Sequence, residues 1–453
     1  VKLPPPLAAA ARARPRHVAL VTPAGAVDYQ TLYARAARAA SVLAARGHRP
    51  GDTLALVGTP DEAWAVAFHA IGLLGAVVAP IDATAAEPAI AEAVARHGAA
   101  ARVDAAELSA AAAAAAPLPE RDWPLDEVRV AVLTSGTTGE PRPVRLTVAQ
   151  LVFSAMGSAA RLGHHLDDRW LCCLPTHHVG GLSILLRTAW LATTCVLEPR
   201  FEARRVAELL DGGELSQVSL VPAMLTRVLA ERPRRAFPPR LRTILLGGDR
   251  TPPALVDEAR ALGLPLVPTW GMSETASQLA TYDPTALAAW TPGDAGPPLP
   301  FVRVTVEPSG ALCAEGPVAP GGRLITADRG HLDDDGHVHV GGRRDLVFIS
   351  GGENVDPERV EAVLRAHPAV ADALVVGLPD TVLGQRTAAV LVPRPGVAPP
   401  PLADLRESLA SRLARAERPS HIAWASALPA GPTGKPSRER TRVLLATQTM
   451  EDL

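Results

Sequence analysis

Lysine is almost missing from this chain: of 45 Lys and Arg residues, only Lys2 and Lys435 are lysines. Charge of one sign is missing too, since 47 Asp and Glu leave a net charge of −2, with no basic excess to serve nucleic acid or an anionic membrane. The four cysteines, Cys172, Cys173, Cys195 and Cys313, form no CxxC pair or zinc spacing and are too few to staple 453 residues, which fits a reducing cytoplasm. The most membrane-like stretch, Ala63 to Ile81, is broken by His69, Gly72, Gly75 and Pro80. It divides into a helix ending near Leu74 and a buried strand over Ala76 to Ile81, so no membrane span is expected. The first residues, from Lys2 through prolines and arginines to Arg16, hold no uninterrupted apolar core, and nothing in them suggests export. No GxxxxGK[ST] loop, GxSxG elbow or HExxH helix occurs.

What the chain does have is length and alternation. At 453 residues two or more packed units are expected. From Val128 onward, short apolar runs alternate with helical patterns, the mark of an α/β protein with largely parallel sheet. Val128 to Thr134 reads as a buried strand. Leu241 to Leu246 reads as another, followed by Gly247-Gly248, a helix capped by Thr251 with Pro252 in its first position, and a strand over Leu264 to Thr269. Beyond residue 340 the texture changes: a strand over Leu346 to Ile349, a helix opened by Asp356-Pro357-Glu358, strands over Val370 to Val376 and Ala388 to Val392, and a helix over Leu402 to Leu413. The fold expected is therefore α/β, a large N-terminal domain over 1–344 of parallel-rich sheets packed with helices, and a small mobile α+β domain over 345–453.

Ligands of such sheets sit where strands end in loops. After the first strand comes Thr134-Ser135-Gly136-Thr137-Thr138-Gly139-Glu140-Pro141-Arg142. Its two glycines allow a sharp turn with exposed amides, its hydroxyls add neutral donors, and Arg142 adds charge, a composition suited to wrapping polyphosphate. Thr147 and Gln150 form a capping box that starts the next helix. After the strand ending at Thr269 comes Trp270-Gly271-Met272-Ser273-Glu274, where Trp270 offers a flat face for a base and Glu274 a carboxylate for Mg²⁺, which prefers oxygen ligands.

In their order these segments resemble the acyl-adenylate-forming superfamily of acyl- and aryl-CoA ligases, luciferases and peptide-synthetase adenylation domains. Ordered matches run from Thr134 to Arg438. The resemblance implies ATP, Mg²⁺ and coenzyme A, with Ser135, Gly136, Thr137, Thr138, Gly139 and Arg142 on phosphate. Gly247, Gly248, Asp249, Trp270, Gly271, Met272 and Ser273 would surround the adenine side, and Asp328 with Arg343 the ribose. Glu274 would hold the metal. Thr134, Glu274 and Lys435 make up the implied catalytic set, Asp345 the hinge of the mobile domain, and Gly351-Gly352 the side-chain-free passage for the pantetheine arm. Lys435 stands out because arginine has replaced lysine almost everywhere else, including at Arg142; a compact ammonium reaches charge developing between a carboxylate and phosphate where a planar guanidinium fits poorly.

Within the superfamily, Leu174 to Ser183 with Arg187, Leu220 to Leu225, and Gly271 to Gln278 resemble most the o-succinylbenzoate-CoA ligases of menaquinone synthesis. That resemblance implies a carboxylate substrate with a ring, a ketone and a second carboxylate. Arg187 is the candidate for that spared carboxylate, with His178 and Ser277 lining the acyl site. Another acyl- or aryl-CoA ligase, or a nucleotide-binding module without turnover, would keep the same ATP segments. A homodimer is left open.

Overall fold

In the computed structural model the residues described are 1–134, 142–431, 436–447 and 451–452. By internal contacts the chain divides into two compact units, one comprising 1–307, 313–325 and 331–340, the other 308–312, 326–330 and 341–453.

The first unit holds two largely parallel sheets. The smaller runs in the order Ala101–Asp104, Thr53–Val57, Val77–Pro80, Val128–Thr134, Arg142–Thr147, parallel except for the last strand, which folds back as a hairpin on Val128–Thr134. The larger has five central parallel strands, Leu266–Met272, Thr243–Leu246, Gln217–Leu220, Arg169–Cys172 and Thr194–Leu197, with Val18–Thr22 parallel beyond them. Antiparallel strands Ser277–Thr281 and Gly25–Asp28 close its edges. Both faces of the larger sheet are buried. Trp170 and Cys172 join the core shared with Leu54, Val78 and Val130 of the smaller sheet, whereas Leu171 and Cys173 join a second core under the helices Ala203–Asp211, Pro222–Ala230 and Pro253–Ala261. Successive strand residues point to opposite faces, so a sheet covered on both sides reads as a continuous apolar run.

Several boundaries differ from those the sequence predicts. The helix after Gly247-Gly248 begins at Pro253, and its cap is Pro252, not Thr251. A residue preceding proline is held in extended conformation, and Pro252, at ψ 132, precedes Pro253. The strand predicted over Leu264 to Thr269 runs instead over Leu266–Met272, taking in Trp270 and Gly271. Arg142–Thr147 is a strand that the sequence reading omits, its Pro143 tolerated because the strand lies at a sheet edge. The helix Glu62–Leu74, ended by Gly75 at φ +84, and the strand Val77–Pro80 agree with the reading of that segment. Among the described residues no helix is long and apolar enough to cross a membrane.

The second unit has a sheet pairing Val370–Asp380 with Gly384–Pro393 antiparallel, and the latter with His421–Trp424 parallel. The helices Pro357–Arg365 and Leu402–Ala410 pack on it, Leu364 and Leu405 sharing one core with Val375 and Leu391. Asp356 caps the first of these helices by accepting from the amides of Glu358 and Arg359, as its Asp-Pro-Glu opening predicts.

Two histidines of the first unit have pKa values pushed down to about 4, His69 by burial and His97 by burial and then the nearby Arg145 charge. Between that value and the ordinary 6.5 the unfolded chain binds protons that the folded chain refuses. Stability is therefore complete above pH 6.5 and falls as the pH drops from 6.5 towards 4, by at most about 3 kcal/mol per histidine. Denaturant titrations of wild type and His69→Leu at pH 7.5 and 5.0 should show a smaller acid loss in the variant; equal losses would remove His69 from the acid response.

Candidate active site

The carboxyl ends of the first unit's parallel strands carry most of the residues singled out above. Thr134 ends its strand and donates its hydroxyl to the Arg142 carbonyl at 3.4 Å, closing the base of the hairpin. Ser135, Gly136, Thr137, Thr138 and Gly139 lie outside the described residues, and so does Lys435. Arg142 is exposed at the start of the returning strand.

Gly247 follows its strand at a position where a β-carbon would sit 2.7 Å from the Thr269 methyl, and Gly248 adopts φ +78, open to glycine at no steric cost. Asp249 follows, exposed, accepting from the Arg250 amide. On the adjacent strand Trp270 is buried, and Gly271 is a position no other residue could fill: a β-carbon there would lie 1.9 Å from the Ser277 carbonyl oxygen. That contact accompanies the irregular register between Trp270 and Gly271. Met272 ends the strand, Ser273–Thr275 form one 3₁₀ turn, and the chain returns through Ala276 at φ +57 and Ser277 at φ +125. Two positive φ values on residues with side chains mark a strained loop of the kind found at functional sites.

One helix holds that loop. In Val148–Leu162 the Thr147–Gln150 capping box is present as expected, and the same Gln150 side chain donates from Nε2 to the Glu274 carbonyl at 2.8 Å and the Val318 carbonyl at 3.1 Å. Ser154 donates to the Ala276 carbonyl at 3.1 Å. With its backbone so tied, Glu274 stays half-buried and its carboxylate makes no hydrogen bond or ion pair with a described residue. A pinned main chain with a free carboxylate at a strand's carboxyl end fits a hard divalent cation that takes one protein ligand and completes its shell from phosphates and water.

The residues expected on the acyl side lie beyond Cys172. The loop Leu174–His178 leads into the helix Val179–Leu191, and Gly181 permits their contact, since a β-carbon there would be 2.5 Å from the Leu174 carbonyl oxygen. His177 and His178 pack with ring centroids 4.3 Å apart, His177 lying 4.0 Å from Asp82. Desolvation lowers the pKa of His177, so it is neutral at physiological pH. These three residues, with Ile81, Ile90 and Leu133, line a cavity of about 130 Å³. Arg187 on the same helix is 1% exposed. Its Nε and Nη2 have no hydrogen-bond partner among the described residues, and burial pushes its pKa down to about 9.

Within the second unit, Arg343 makes a two-point contact with Asp345, with 2.9 Å from Nε to Oδ1, and lies 3.9 Å from the buried Asp328. Asp345 chiefly, then Asp328, raise its pKa. The two expected ribose residues and the expected hinge residue thus form one charged cluster. Gly351 and Gly352, at φ +57 and +87, are the two turn residues of the hairpin Phe348–Ser350 to Glu353–Val355. A two-residue turn of that hand requires positive φ at both positions, which accounts for this pair of glycines by turn geometry alone. The sequence reading missed Gln150's second role, Asp82 beside His177, and the hairpin closing on Arg142; the Thr-x-x-Gln signal led only to the cap.

The AMP-binding enzyme family model matches residues 7–330 and its C-terminal domain matches 359–435. The chain belongs to the AMP-binding enzyme family. Among its relatives, a 2-succinylbenzoate–CoA ligase of Geobacillus sp. (strain WCH70) is 30% identical, covering 95% of each chain, and one of Geobacillus kaustophilus (strain HTA426) is 33% identical over 92% of this chain and 93% of the relative. Among solved structures, o-succinylbenzoate CoA synthetase from Bacillus subtilis in complex with the acyl-adenylate OSB-AMP superposes with a TM-score of 0.87 at 30% identity over all of both chains. The same enzyme with ATP and magnesium gives 0.85 at 31% identity, over 97% of this chain and 99% of that one.

If the Glu274 carboxylate serves the metal, Glu274→Gln keeps the backbone bonds to Gln150 yet removes the charge. Adenylation should then fall by about tenfold or more and half-maximal activity should need more Mg²⁺. A magnesium titration with the wild-type midpoint would assign the carboxylate another task.

Proposed function

We propose that the protein is an ATP-dependent acid–thiol ligase that adenylates o-succinylbenzoate and passes the acyl group to coenzyme A, releasing AMP and pyrophosphate. The observation that carries the substrate is Arg187, a buried guanidinium with unpaired N–H groups on the helix that follows Leu174–His178, in a chain with relatives, matched over more than nine-tenths of their length, named for the dicarboxylate 2-succinylbenzoate. A cation so placed needs an anion, and the second carboxylate of the substrate supplies one.

ATP would be held by the loop from Thr134 to Arg142 through its amides and hydroxyls, with Gly247, Gly248 and Asp249, Trp270 to Ser273, and Asp328 with Arg343 taking the nucleoside. Mg²⁺, held through Glu274, supplies Lewis-acid neutralisation of phosphate charge. The chain's own residues then do the positioning. Gln150 and Ser154 fix the Glu274 loop, Arg187 anchors the carboxylate that does not react, and His178 and Ser277 line the path of the one that does. Lys435 offsets the charge that grows as the reacting carboxylate attacks the α-phosphorus. The smaller domain, taken as 345–453, turns about Asp345 between the two half-reactions, and the Gly351-Gly352 turn is then brought to the passage of the pantetheine thiol. Release of Asp345 from Arg343 would accompany that turn. The reading implies a cytoplasmic enzyme of small-molecule metabolism with no nucleic-acid partner, and leaves a homodimer open.

Pyrophosphate release with o-succinylbenzoate, benzoate and octanoate tests the substrate. The diacid should be preferred by orders of magnitude, and Arg187→Ala should remove most of that preference, because losing a desolvated charge pair costs several kcal/mol. Comparable use of the monoacids by wild type would point to a different CoA ligase.

Lys435 separates the half-reactions. Lys435→Ala should slow carboxylate-dependent pyrophosphate formation by roughly 10²-fold or more, the scale of losing one preorganised donor, while thioester formation from supplied acyl-adenylate stays near wild type. Equal slowing of both halves would make the lysine structural.

A further inference from the structure

Arg187 differs from the other deeply buried arginines of the first unit. Arg232 is paired with Asp211 through two nitrogens, and Arg129 with Glu127. Arg187 has no ion pair with a described residue, and its charge-stabilising contact is a ring: the guanidinium carbon stands 4.6 Å above the centre of Trp170. Trp170 is itself 4% exposed, on the strand Arg169–Cys172, and faces the core that the helix Val179–Leu191 covers. Its indole Nε1–H donates to the Ser219 hydroxyl at 3.0 Å, on the neighbouring parallel strand where Gln217 stands opposite Trp170. Ser219 is two residues beyond Gln217, so it shares the face from which Trp170 projects. The hydrogen bond sets the ring's rotation, and the ring in turn sets the plane on which the guanidinium rests.

Burying a charge without a counter-ion favours its loss or its expulsion to water. A tryptophan face is the strongest aromatic partner for a cation, and it holds the cation without occupying its N–H groups. A carboxylate in the same place would also hold Arg187 but would fill the donors that a ligand needs. We propose that Trp170, oriented by Ser219, is a specificity-determining positioning residue: it keeps the Arg187 guanidinium charged and aimed, with N–H donors free for the substrate's second carboxylate. This inference rests on the dicarboxylate reading of Arg187.

The test compares the full chain acting on o-succinylbenzoate and on its analogue without the second carboxylate. Trp170→Leu should raise KM for the diacid by about ten- to thirtyfold, the worth of a desolvated cation–ring contact, with a much smaller change in kcat and in use of the monoacid. Trp170→Phe, which keeps a ring, and Ser219→Ala, which removes only the acceptor, should each raise the diacid KM by about threefold. Combined with Arg187→Ala, Trp170→Leu should add little further loss, because its effect passes through the arginine. Equal losses on both acids, or full additivity with Arg187→Ala, would make Trp170 a packing residue and overturn the proposal. If Arg187→Ala leaves the diacid preference intact, the dicarboxylate reading itself fails; if it abolishes the preference and the Trp170 and Ser219 variants do not change it, only the present inference does. Should Trp170→Leu fail to fold, the Trp170→Phe and Ser219→Ala pair decides: a diacid-specific rise in KM supports the proposal and its absence overturns it.

Discussion

The side-chain amide of Gln150 is the joint on which the Glu274 loop of the first unit depends. Its oxygen accepts from the Thr147 amide and so starts the helix Val148–Leu162; its nitrogen donates to the carbonyls of Glu274 and Val318. The helix starts directly after the hairpin strand Arg142–Thr147, and the carbonyls belong to the loop that carries Glu274 and to a segment far along the chain. One buried amide, 4% exposed, thus ties three separate pieces of backbone with all of its bonds internal. In a low-dielectric interior such a satisfied network is stiff, because breaking one of its bonds leaves a buried polar group bare.

Stiffness there lets the loops around it carry strain. Ala276 and Ser277 hold positive φ, and Gly271 touches the Ser277 carbonyl at a distance no side chain could share. Without the bonds from Gln150 and Ser154 the loop could relax, and the Glu274 carboxylate would lose its fixed origin. The larger sheet contributes the other half of the constraint. Because both of its faces are buried under apolar side chains, polar chemistry is driven to the strand ends, where Gly247 and Met272 lie, as Thr134 does at the end of its strand in the smaller sheet.

That division explains what could be read from the residues alone. The buried strands and the capping box were legible because each has a local cause: an apolar run between turn residues, or a hydroxyl and an amide three residues apart. The Gly247-Gly248 turn and the Asp356 cap were legible for the same reason. The hairpin over Arg142–Thr147 was not, since Pro143 and two arginines look unlike a strand until an edge position excuses them. Nor were Gln150's bonds to Glu274 and Val318, which join residues more than a hundred positions apart and leave no local trace. The Gly351-Gly352 pair shows the converse. Its residue types suit both a passage and a tight turn, and the observed φ values supply a sufficient structural reason for them.

Arg187 separates stability from function in physical terms. A buried cation that serves the fold carries its own acid, as Arg232 does with Asp211, since an unpaired charge would otherwise cost several kcal/mol. Arg187 forgoes that acid and accepts a ring face, a weaker partner worth about 2 kcal/mol when desolvated. The folded chain is then less stable than it would be with an apolar residue in the same space, a deficit that a bound anion would recover. Acids that spend their one carboxylate on the reaction would not recover it. On the role proposed for Arg187, the same burial that penalises the free enzyme would become discrimination between diacid and monoacid, because each desolvated, unpaired N–H would contribute to the preference what it cost the fold.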